Sequence, residues 1–411
     1  MSGEILFLAH RMPFPPNRGD KIRSHHILKA LAELAPVHVG AFADAASDWD
    51  HEAELRELAA SLCLVERRKP LALAAGEALF RREPVSLAAF RDRQLSIYVA
   101  RTLAAHPIDT IYGFSGQMGQ YVPASFTGRV VIDLVDVDSA KFEAYAAAKS
   151  WPLSWPHARE ARLLAAEEER LAHRADRTLL VSEAEAELLR SRLVDPAGAQ
   201  VLALRNGIDA GFFDPATVAP DPSLADARGP HFVFTGQMDY TPNIAAVRRV
   251  SDFILPAIRQ HHPCAQFHVV GRAPTREVLA LDWQDGVRVW GEVADVRPFL
   301  AAADLVVVPL AIARGVQNKV LEAMAMARPV VLTPGAATGI QATDDTHFAV
   351  EESDTQLAAR ILRLLERPEA ARAMGDAARK FVVERLGWPA MLAGLPGLLG
   401  RMAAERERHA A

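Results

Sequence analysis

The segment from residue 304 to 338 restricts the fold of this chain more than any other stretch. It begins with a short apolar run at 305–310 and a loop of small residues at 311–315. Apolar residues then recur at a helical spacing, and a second β-branched run follows at 330–332. These patterns predict strand, loop, helix and strand, which together form a βαβ unit.

Two charged residues near the start of the predicted helix are the first candidates for a binding site. Ligands of a βαβ unit bind at the carboxyl end of the strand, where the amino end of the helix favours an anion. Lys319 and Glu322 are three residues apart there and share one helix face. They could hold a phosphate and a sugar hydroxyl. The spacing fits an ion pair on a solvated face equally well.

The residues around this pair resemble the nucleotide-sugar motif of glycosyltransferase family 4. The run KVLEAMA at 319–325, followed by RPVV at 328–331, is similar to the family's Glu, seven residues, then Glu-Ala-Met-Ala-x-Gly-x-Pro-Val-Val. The second Glu of that motif holds the donor ribose, and the resemblance gives this role to Glu322. The first Glu, which contacts the donor sugar, falls at Arg314. The resemblance also places Gly315 and Asn318 among the donor-binding residues.

Length and composition indicate a globular protein with two domains. The 411 residues exceed what one core normally supports, so two domains of roughly 200 residues are expected. The net charge of −5 gives no indication of nucleic-acid binding. Two cysteines, Cys63 and Cys264, argue for a reducing compartment. The sequence shows neither a signal peptide nor an apolar run of about 20 residues, so a cytoplasmic location is expected.

The first strand, at residues 4–9, runs into a loop rich in Pro and Gly at 10–21 and then a helical pattern at 22–34. Such a loop lies over the ligand crevice of a doubly wound sheet, although an ordinary turn explains the same residues. In the family this loop approaches the donor phosphates or the acceptor, and Gly19 fits that role as a donor-binding residue. His10, at the end of the predicted strand, could point into the cleft and is a candidate for binding the acceptor. Residues 15–23 are more narrowly similar to the sugar transferases associated with PEP-CTERM exopolysaccharide systems. A second strand at 37–42 and a helix at 53–62 follow.

Residues 66–101 mix basic residues with leucines and aromatic residues. The basic residues are Arg67, Arg68, Lys69, Arg81, Arg82, Arg91, Arg93 and Arg101. Basic and apolar residues at helical spacing suit a helix that lies in a membrane interface. A solvated helix packed on the sheet explains the segment as well.

Two more strands are predicted at 108–114 and 130–134, and the second leads into three carboxylates. Asp133, Asp136 and Asp138 could bind a metal or cap the next helix. At the end of a crevice strand, Asp136 is a candidate catalytic group that contacts an acceptor hydroxyl, and Asp138 is a candidate for binding the acceptor.

The second half repeats the strand-and-helix pattern after a boundary at 204–230. Asn206-Gly207-Ile208-Asp209 resembles the interdomain hinge of the family, and a Pro- and Asp-rich run follows. Predicted strands at 231–236, 267–271 and 287–293 end in loops that the resemblance assigns to the donor. Their donor-binding residues are Gly236, Gln237, Gly271, Arg272, Gly291 and Glu292.

The first of these loops lacks the Arg and Lys that many family members use to neutralise the diphosphate. We therefore expect Lys319 and Arg314 to supply the positive charge and to act in catalysis.

The resemblance implies a GT-B fold with two Rossmann-like, doubly wound parallel-sheet domains facing a central cleft. The expected domains are 1–205 for the acceptor, a hinge and linker at 206–230, 231–385 for the nucleotide sugar, and 386–411 as a terminal helix that crosses back. No HxH, HExxH or CxxC spacing occurs, so no metal site is expected.

The implied activity is retaining, metal-independent transfer of a sugar from a nucleotide-diphosphate sugar to a hydroxyl acceptor, without a cofactor. The acceptor is a saccharide or lipid-linked saccharide, with peripheral contact at the inner membrane and no nucleic acid. Two alternatives stay open: a nucleotide-sugar 2-epimerase with the same architecture, and a non-catalytic sugar-nucleotide-binding partner of a polysaccharide assembly complex.

Overall fold

The computed structural model describes residues 3–16, 18–152, 154–311 and 316–401. The chain divides into two compact units. The first unit comprises residues 1–206 and 391–411, and the second comprises 207–390. Arg314 and Gly315 lie outside the described residues.

In the described residues, the first unit is built on a parallel sheet of seven strands in the order β3-β2-β1-β4-β5-β6-β7. The strands are β1 (Glu4–Ala9), β2 (Val37–Ala43), β3 (Ser61–Glu66), β4 (Ile108–Phe114), β5 (Arg129–Val135), β6 (Arg177–Leu180) and β7 (Val201–Ala203). The central strands are almost continuously apolar because helices cover both faces of such a sheet.

The strands of the first unit are connected mainly by helices. These are α1 (Gly19–Leu34), α2 (Glu52–Leu58), α3 (Leu71–Arg81), α4 (Val85–Ala89), α5 (Arg93–Ala105), α6 (Asp138–Ala147), α7 (Ser154–Arg174) and α8 (Glu183–Arg192).

The described part of the second unit has a parallel sheet of six strands in the order β10-β9-β8-β11-β12-β13. The strands are β8 (His231–Thr235), β9 (Gln266–Val270), β10 (Val287–Gly291), β11 (Leu305–Val308), β12 (Val330–Leu332) and β13 (Ala349–Val350). Its hydrophobic core joins both faces of this sheet to the surrounding helices.

The helices of the second unit begin with α9 (Pro222–Ala225), α10 (Thr241–Arg249), α11 (Leu255–Arg259), α12 (Arg276–Leu279) and α13 (Arg297–Ala302). They continue with α14 (Asn318–Ala325), α15 (Pro334–Ala337), α16 (Asp354–Leu365), α17 (Pro368–Phe381) and α18 (Trp388–Leu392). The chain then returns to the first unit, where α19 (Leu395–Leu398) lies.

Each sheet has one point where the strand order reverses. In the first unit β1 lies between β2 and β4, and in the second unit β8 lies between β9 and β11. Open parallel sheets bind ligands at this switch point, outside the carboxyl ends of the strands. The fold therefore directs attention to the loops after β1 and β4 and to those after β8 and β11.

One predicted element is wrong. The helix expected at 53–62 ends at Leu58, and residues 61–66 form the edge strand β3, paired in parallel with β2 from Ser61 to Glu66. The apolar residues after Leu58 pair with β2, and this pairing decides their strand conformation. Strands β7 and β13 were not predicted either.

A buried ion pair fastens α1 to the centre of the first sheet. The fully buried Arg23 donates to both carboxylate oxygens of Asp133, at 3.0 and 3.1 Å. It also donates to Leu204 O at 2.7 Å and Asn206 Oδ1 at 2.8 Å, while the Tyr112 hydroxyl donates to Asp133 Oδ2 at 3.0 Å. Every charge here has partners, which offsets the cost of burying it. Asp133 is thus structural.

A chain of hydrogen bonds crosses the second sheet. Trp290 Nε1 donates to His268 Nδ1 at 3.1 Å, which leaves His268 Nε2 to donate to His231 Nδ1 at 3.0 Å. Burial, together with His231 and Arg288, lowers the pKa of His268 to about 3. The ring is therefore neutral at physiological pH.

Both cysteine thiols are free, with Cys63 buried and Cys264 exposed. Across the described ranges, no helix combines the length and apolar character needed to cross a bilayer.

Candidate functional site

Three glycines line the carboxyl ends of neighbouring strands in the second unit. Gly236, Gly271 and Gly291 follow or end β8, β9 and β10 and have φ values of +153°, +154° and +69°. The loops are joined by hydrogen bonds from Gly236 N to Val270 O (3.1 Å) and from Gly271 N to Gly291 O (2.8 Å). A Cβ on Gly271 would lie 1.7 Å from Gly236 O, so the close approach of the two loops requires glycine there.

Lys319 lies against the first of these loops. Its Nζ donates to Asn243 Oδ1 at 2.6 Å, and Asn243 Nδ2 donates to Gln237 O at 2.8 Å. The ammonium also lies 4.1 Å from the ring centroid of Phe234, at the end of β8. A Cβ on Gly236 would approach Nζ to 2.8 Å. The loop, α10 and the start of α14 thus fix the cation beside the switch point.

The alternative of a solvated ion pair does not describe Lys319 and Glu322. Both side chains are half-buried, and no ion pair within 4 Å joins them among those found in the described residues. Lys319 uses its hydrogen bond on Asn243 instead. The two charges remain near enough to influence each other's ionisation.

Burial shifts both groups towards neutrality. It lowers the pKa of Lys319 to about 8, against the opposing effect of Glu322. It raises the pKa of Glu322 to about 7, against the opposing effect of Lys319. An anion beside Lys319 would restore its positive charge, and a pair of hydroxyl donors would stabilise the Glu322 carboxylate. The site is therefore suited to a ligand that carries both a phosphate and a diol.

The other predicted donor residues surround this centre. Arg272 is exposed and donates to Gln237 Oε1 at 3.1 Å, which places a second cation next to the Gly236 loop. Glu292 and Asn318 are exposed, and a Cβ on Gly291 would meet open space. Arg314 and Gly315 fall outside the described residues. The structure thus brings Gly236, Gln237, Gly271, Arg272 and Lys319 together.

At the switch point of the first unit, His10 directly follows β1 and is buried. Its ring stacks on Phe114, with centroids 5.8 Å apart, and its Nε2 lies 3.5 Å from Asp20 Oδ2. Arg11 donates to the same oxygen at 2.5 Å. Although burial alone would raise it, hydrogen bonds from His10 and Arg11 hold the pKa of Asp20 well below its usual value. The Nδ1 of His10 is buried and has no hydrogen-bond partner in the described residues.

Gly19 is the first residue of α1 and is exposed. A Cβ at this position would meet no atom within 4 Å. The fold itself therefore does not require glycine here, in contrast to Gly271.

Two strained residues lie near the predicted acceptor carboxylates. Ser115, after β4, has φ of +78°, and Val135, at the end of β5, has φ of +70°. A β-branched residue rarely adopts this conformation, and such strain concentrates at functional sites. Asp136 follows directly, and desolvation together with Glu185 and Asp138 raises its pKa from the ordinary value.

The interpretation of these carboxylates as caps of the next helix is wrong, because other side chains accept from the backbone N–H groups at its start. Helix α6 begins at Asp138 with Val137 at its N-cap, which makes no side-chain cap. Glu185 instead accepts from Val137 N at 2.8 Å, and the buried Glu168 accepts from Ser139 N at 2.9 Å and Oγ at 2.5 Å. Burial raises the pKa of Glu168 to about 7. Neither Asp136 nor Asp138 therefore caps α6, and Asp138 lies 3.4 Å from Lys141 Nζ.

Sequence reasoning gave no role to Asn243, Ser115, Val135 or Glu168. Asn243 belongs to the loop that was singled out, but its contact with Lys319 depends on α10 and α14 meeting. A positive φ at a serine or valine has no signal in a single sequence.

Two doubly wound parallel sheets, each with polar groups at its switch point, define the class: the chain has the GT-B fold of glycosyltransferases. Within it, residues 229–367 match the family model described as "Glycosyl transferases group 1", so this segment carries a group 1 glycosyltransferase domain. No curated protein sequence matches the chain.

Solved structures share the fold along the whole chain. Sucrose-phosphate synthase from Thermosynechococcus elongatus is 18% identical with a TM-score of 0.60, covering 100% of both chains. Anabaena Alr3699/HepE in complex with UDP and glucose is 16% identical with a TM-score of 0.62, covering 98% of this chain and 100% of that one. WaaG, a glycosyltransferase involved in lipopolysaccharide biosynthesis, is 16% identical with a TM-score of 0.58, covering 96% and 100%.

Proposed function

We propose that this protein is a retaining family 4 glycosyltransferase that moves a sugar from a nucleotide-diphosphate sugar to a hydroxyl acceptor. One observation carries the proposal: Lys319 and Glu322 lie on the first turns of α14, and a glycine loop holds the Lys319 ammonium at the end of β8. A helix start, a cation and a carboxylate at a switch point suit a ligand with phosphate and ribose groups. HepE, which shares the fold, was crystallised with UDP-glucose.

In the proposed reaction, the bond between the sugar C1 and the donor diphosphate breaks, and a bond from C1 to the acceptor oxygen forms. Lys319, the start of α14 and Arg272 stabilise the negative charge that develops on the leaving diphosphate. Glu322 accepts from the ribose hydroxyls. The acceptor proton passes to the leaving diphosphate, so no separate base is needed, and side-chain cations take the place of a metal ion.

The first unit is proposed to bind the acceptor. The Nδ1 of His10, which has no partner in the described residues, and the carboxylates of Asp136 and Asp138, of which Asp138 also pairs with Lys141, are the proposed hydrogen-bonding groups for saccharide hydroxyls. The raised pKa of Asp136 indicates a partly desolvated carboxyl, which binds a hydroxyl more tightly than a fully hydrated one does.

We propose further that the acceptor is lipid-linked and that the first unit contacts an anionic membrane from the cytoplasmic side. Helix α3 exposes large apolar residues, with Phe80 91% exposed, and ends at the exposed Arg81 and Arg82. Arg159 of α7 donates to Ala78 O at 2.8 Å, and the exposed Trp155 precedes it by one turn. Exposed aromatic and basic residues at adjoining helix ends favour a membrane interface.

Several of the basic residues at 66–101 are paired with carboxylates within the first unit. Arg67, Arg68, Lys69 and Arg91 form ion pairs with Asp44, Glu66, Glu77 and Glu83. Apolar insertion should therefore contribute more than charge. Sedimentation with anionic vesicles should fall clearly in Phe80→Ser, while the exposed polar control Gln284→Ser binds normally. Equal sedimentation of both variants would remove the support for a lipid-linked acceptor.

The narrower similarity of residues 15–23 supports a place in exopolysaccharide or other cell-surface glycan biosynthesis.

Thermal unfolding with a panel of UDP-, GDP- and ADP-sugars tests the donor. A donor at about 100 times its Kd should stabilise the protein by about 2.7 kcal/mol. Transfer to a hydroxyl acceptor must then follow. Nucleotide release together with free sugar and no need for acceptor would indicate an epimerase, and binding without turnover a non-catalytic partner.

A further inference from the structure

The amino ends of the strands in the first unit carry a second polar cluster. It is formed by Glu4 at the start of β1, His38 in β2 and His106 after α5. Six residues of extended chain separate Glu4 from His10, which is roughly 20 Å, so the cluster lies at the opposite end of the strands from the acceptor residues. The proposed transfer reaction does not use it.

The three side chains converge on a small volume. Glu4 Oε2 lies 2.6 Å from His38 Nε2 and 3.2 Å from His106 Nδ1, and the two rings are 4.2 Å apart between centroids. One ligand atom from each residue lies within 4.8 Å of those from the other two. Two imidazoles and one carboxylate are a donor set that Zn²⁺ binds with a fourth position open for water.

The surroundings fix the central ligand in the required orientation. His38 is buried, and its other ring nitrogen, Nδ1, lies 2.7 Å from Ser61 Oγ, which in turn lies 2.7 Å from the Tyr98 hydroxyl. Metal-binding histidines usually have such a partner on the second nitrogen, because it sets the tautomer and the ring orientation. His106 is 41% exposed and gives an ion access from solvent.

The nearby positive charge does not prevent binding. Arg401 donates to Gly3 O at 3.0 Å, next to Glu4, but it forms an ion pair with Asp109. The Asp109 carboxylate therefore balances the charge of Arg401 near the cluster.

We infer that Glu4, His38 and His106 form a binding site for a zinc-type divalent transition-metal ion that fastens β1, β2 and the turn before β4. Glu4 Oε2 is hydrogen-bonded to His38 Nε2 and lies 3.2 Å from His106 Nδ1; a bound ion would replace the proton between Glu4 and His38 and join the three ligands directly. Binding therefore releases protons and weakens as the pH falls. Histidine favours Zn²⁺, Cu²⁺ or Ni²⁺ over Mg²⁺ or Ca²⁺.

The test uses the full-length protein after chelator treatment and gel filtration, with Zn²⁺ added alone. At about 100 times its Kd, free Zn²⁺ should raise the unfolding temperature by roughly 5–10 °C and leave one ion per chain after dialysis. Mg²⁺ should have no such effect. Replacing His106 with alanine should abolish the rise, and because this side chain is exposed the variant should still fold.

His173→Ala is the matched control. His173 is 36% exposed and also lies beside a carboxylate, with its Nε2 4.0 Å from Glu169 Oε1, but the described part of the chain places no second histidine in a group with them. It should retain the full response to Zn²⁺. The inference is overturned if Zn²⁺ leaves the wild type unchanged, or if it stabilises His106→Ala as much as the wild type. Donor binding by His106→Ala should equal that of the wild type in either case, which separates this test from that of the proposed function.

Discussion

Replacing Lys319 with alanine tests the proposed chemistry most directly. The Nζ is held at the end of β8 by Asn243, with a contact to the Phe234 ring, before any ligand binds. A preorganised cation stabilises the leaving diphosphate more as negative charge develops than it does in the ground state. Lys319→Ala should therefore lower kcat much more than it weakens donor binding.

The expected size follows from the charge and its surroundings. Two unit charges 4 Å apart interact by about 4 kcal/mol at an effective dielectric of 20, and removing one preorganised donor at developing charge typically costs about 2.7–4 kcal/mol. Lys319 is half-buried, so the lower end applies, which corresponds to a loss of roughly 100-fold in kcat. Lys319→Arg should recover part of the loss, since a planar fork replaces a point charge imperfectly.

The pKa values give this prediction a second measurement. The proposed donor contacts need a protonated Lys319 and an ionised Glu322. Affinity should therefore rise with pH through about 7, where Glu322 ionises, and fall above about 8, where Lys319 loses its proton. Lys319→Arg should lose the alkaline decline but keep the acidic one, because guanidinium stays charged. If Lys319 had only a structural role, Lys319→Arg would show the same dependence of donor affinity on pH as the wild type.

The assay measures sugar transfer and nucleotide release at saturating donor, with affinity determined separately by calorimetry. Lys380→Ala is the control, because Lys380 is an exposed lysine of the same unit near Glu384. It should transfer sugar at the wild-type rate. A near wild-type rate in Lys319→Ala at saturating donor would refute the assignment and leave the diphosphate to backbone N–H groups.

Three further predictions test the binding carboxylate, the loop geometry and the buried imidazole. Glu322→Gln keeps its shape but loses charge-assisted hydrogen bonds, so calorimetry should show donor binding weaker by roughly 1.5–3 kcal/mol; unchanged affinity would contradict the ribose contact. Gly271→Ala should lower the free energy of unfolding by more than about 3 kcal/mol in denaturant titrations, because its Cβ would collide with Gly236 O. Gly19→Ala is the control and should leave the free energy of unfolding unchanged. A large effect at Gly19 would argue against the open surroundings that the structure gives this residue. The folded-state pKa of His268, about 3, lies below its ordinary value of 6.5, so its stabilisation is complete above 6.5 and is lost as the pH falls from 6.5 towards 3. The slope should reach about 1.4 kcal/mol per pH unit and shrink in His268→Gln, and an equal slope in that variant would assign it to other groups.

Much of the fold could be predicted because buried parallel strands are continuous apolar runs. The predicted strands at 4–9, 108–114 and 330–332 have the same bounds in the structure. The error at 53–62 occurred where a short apolar segment was compatible with either helix or strand. Its strand conformation depends on pairing with β2, a long-range interaction that local periodicity does not contain.

The candidate site was predictable to the extent that it is local. Lys319 and Glu322 share a helix face through their spacing alone. The partner Asn243 is 76 residues from Lys319 in the sequence, and the neighbouring Arg272 comes from another strand end. Glu4, His38 and His106 are also far apart in the sequence, which is why they form none of the short metal-binding spacings. Side chains that meet only because their strands are neighbours in the sheet leave no short motif in the sequence.

The strand ends at and beside the two switch points reach positive φ in different ways, and the difference fits the ligands proposed for each unit. In the second unit, positions 236 and 271 are glycines, so the backbones of the two loops approach one another without side chains between them. In the first unit, Ser115 and Val135 adopt positive φ at a cost of about 1–3 kcal/mol each. Glycine would remove that strain, so retaining side chains there must have a compensating value. Backbone recognition suits phosphates, which are common to all donors, and the strained side-chain lining beside Asp136 suits the hydroxyls that distinguish one acceptor from another.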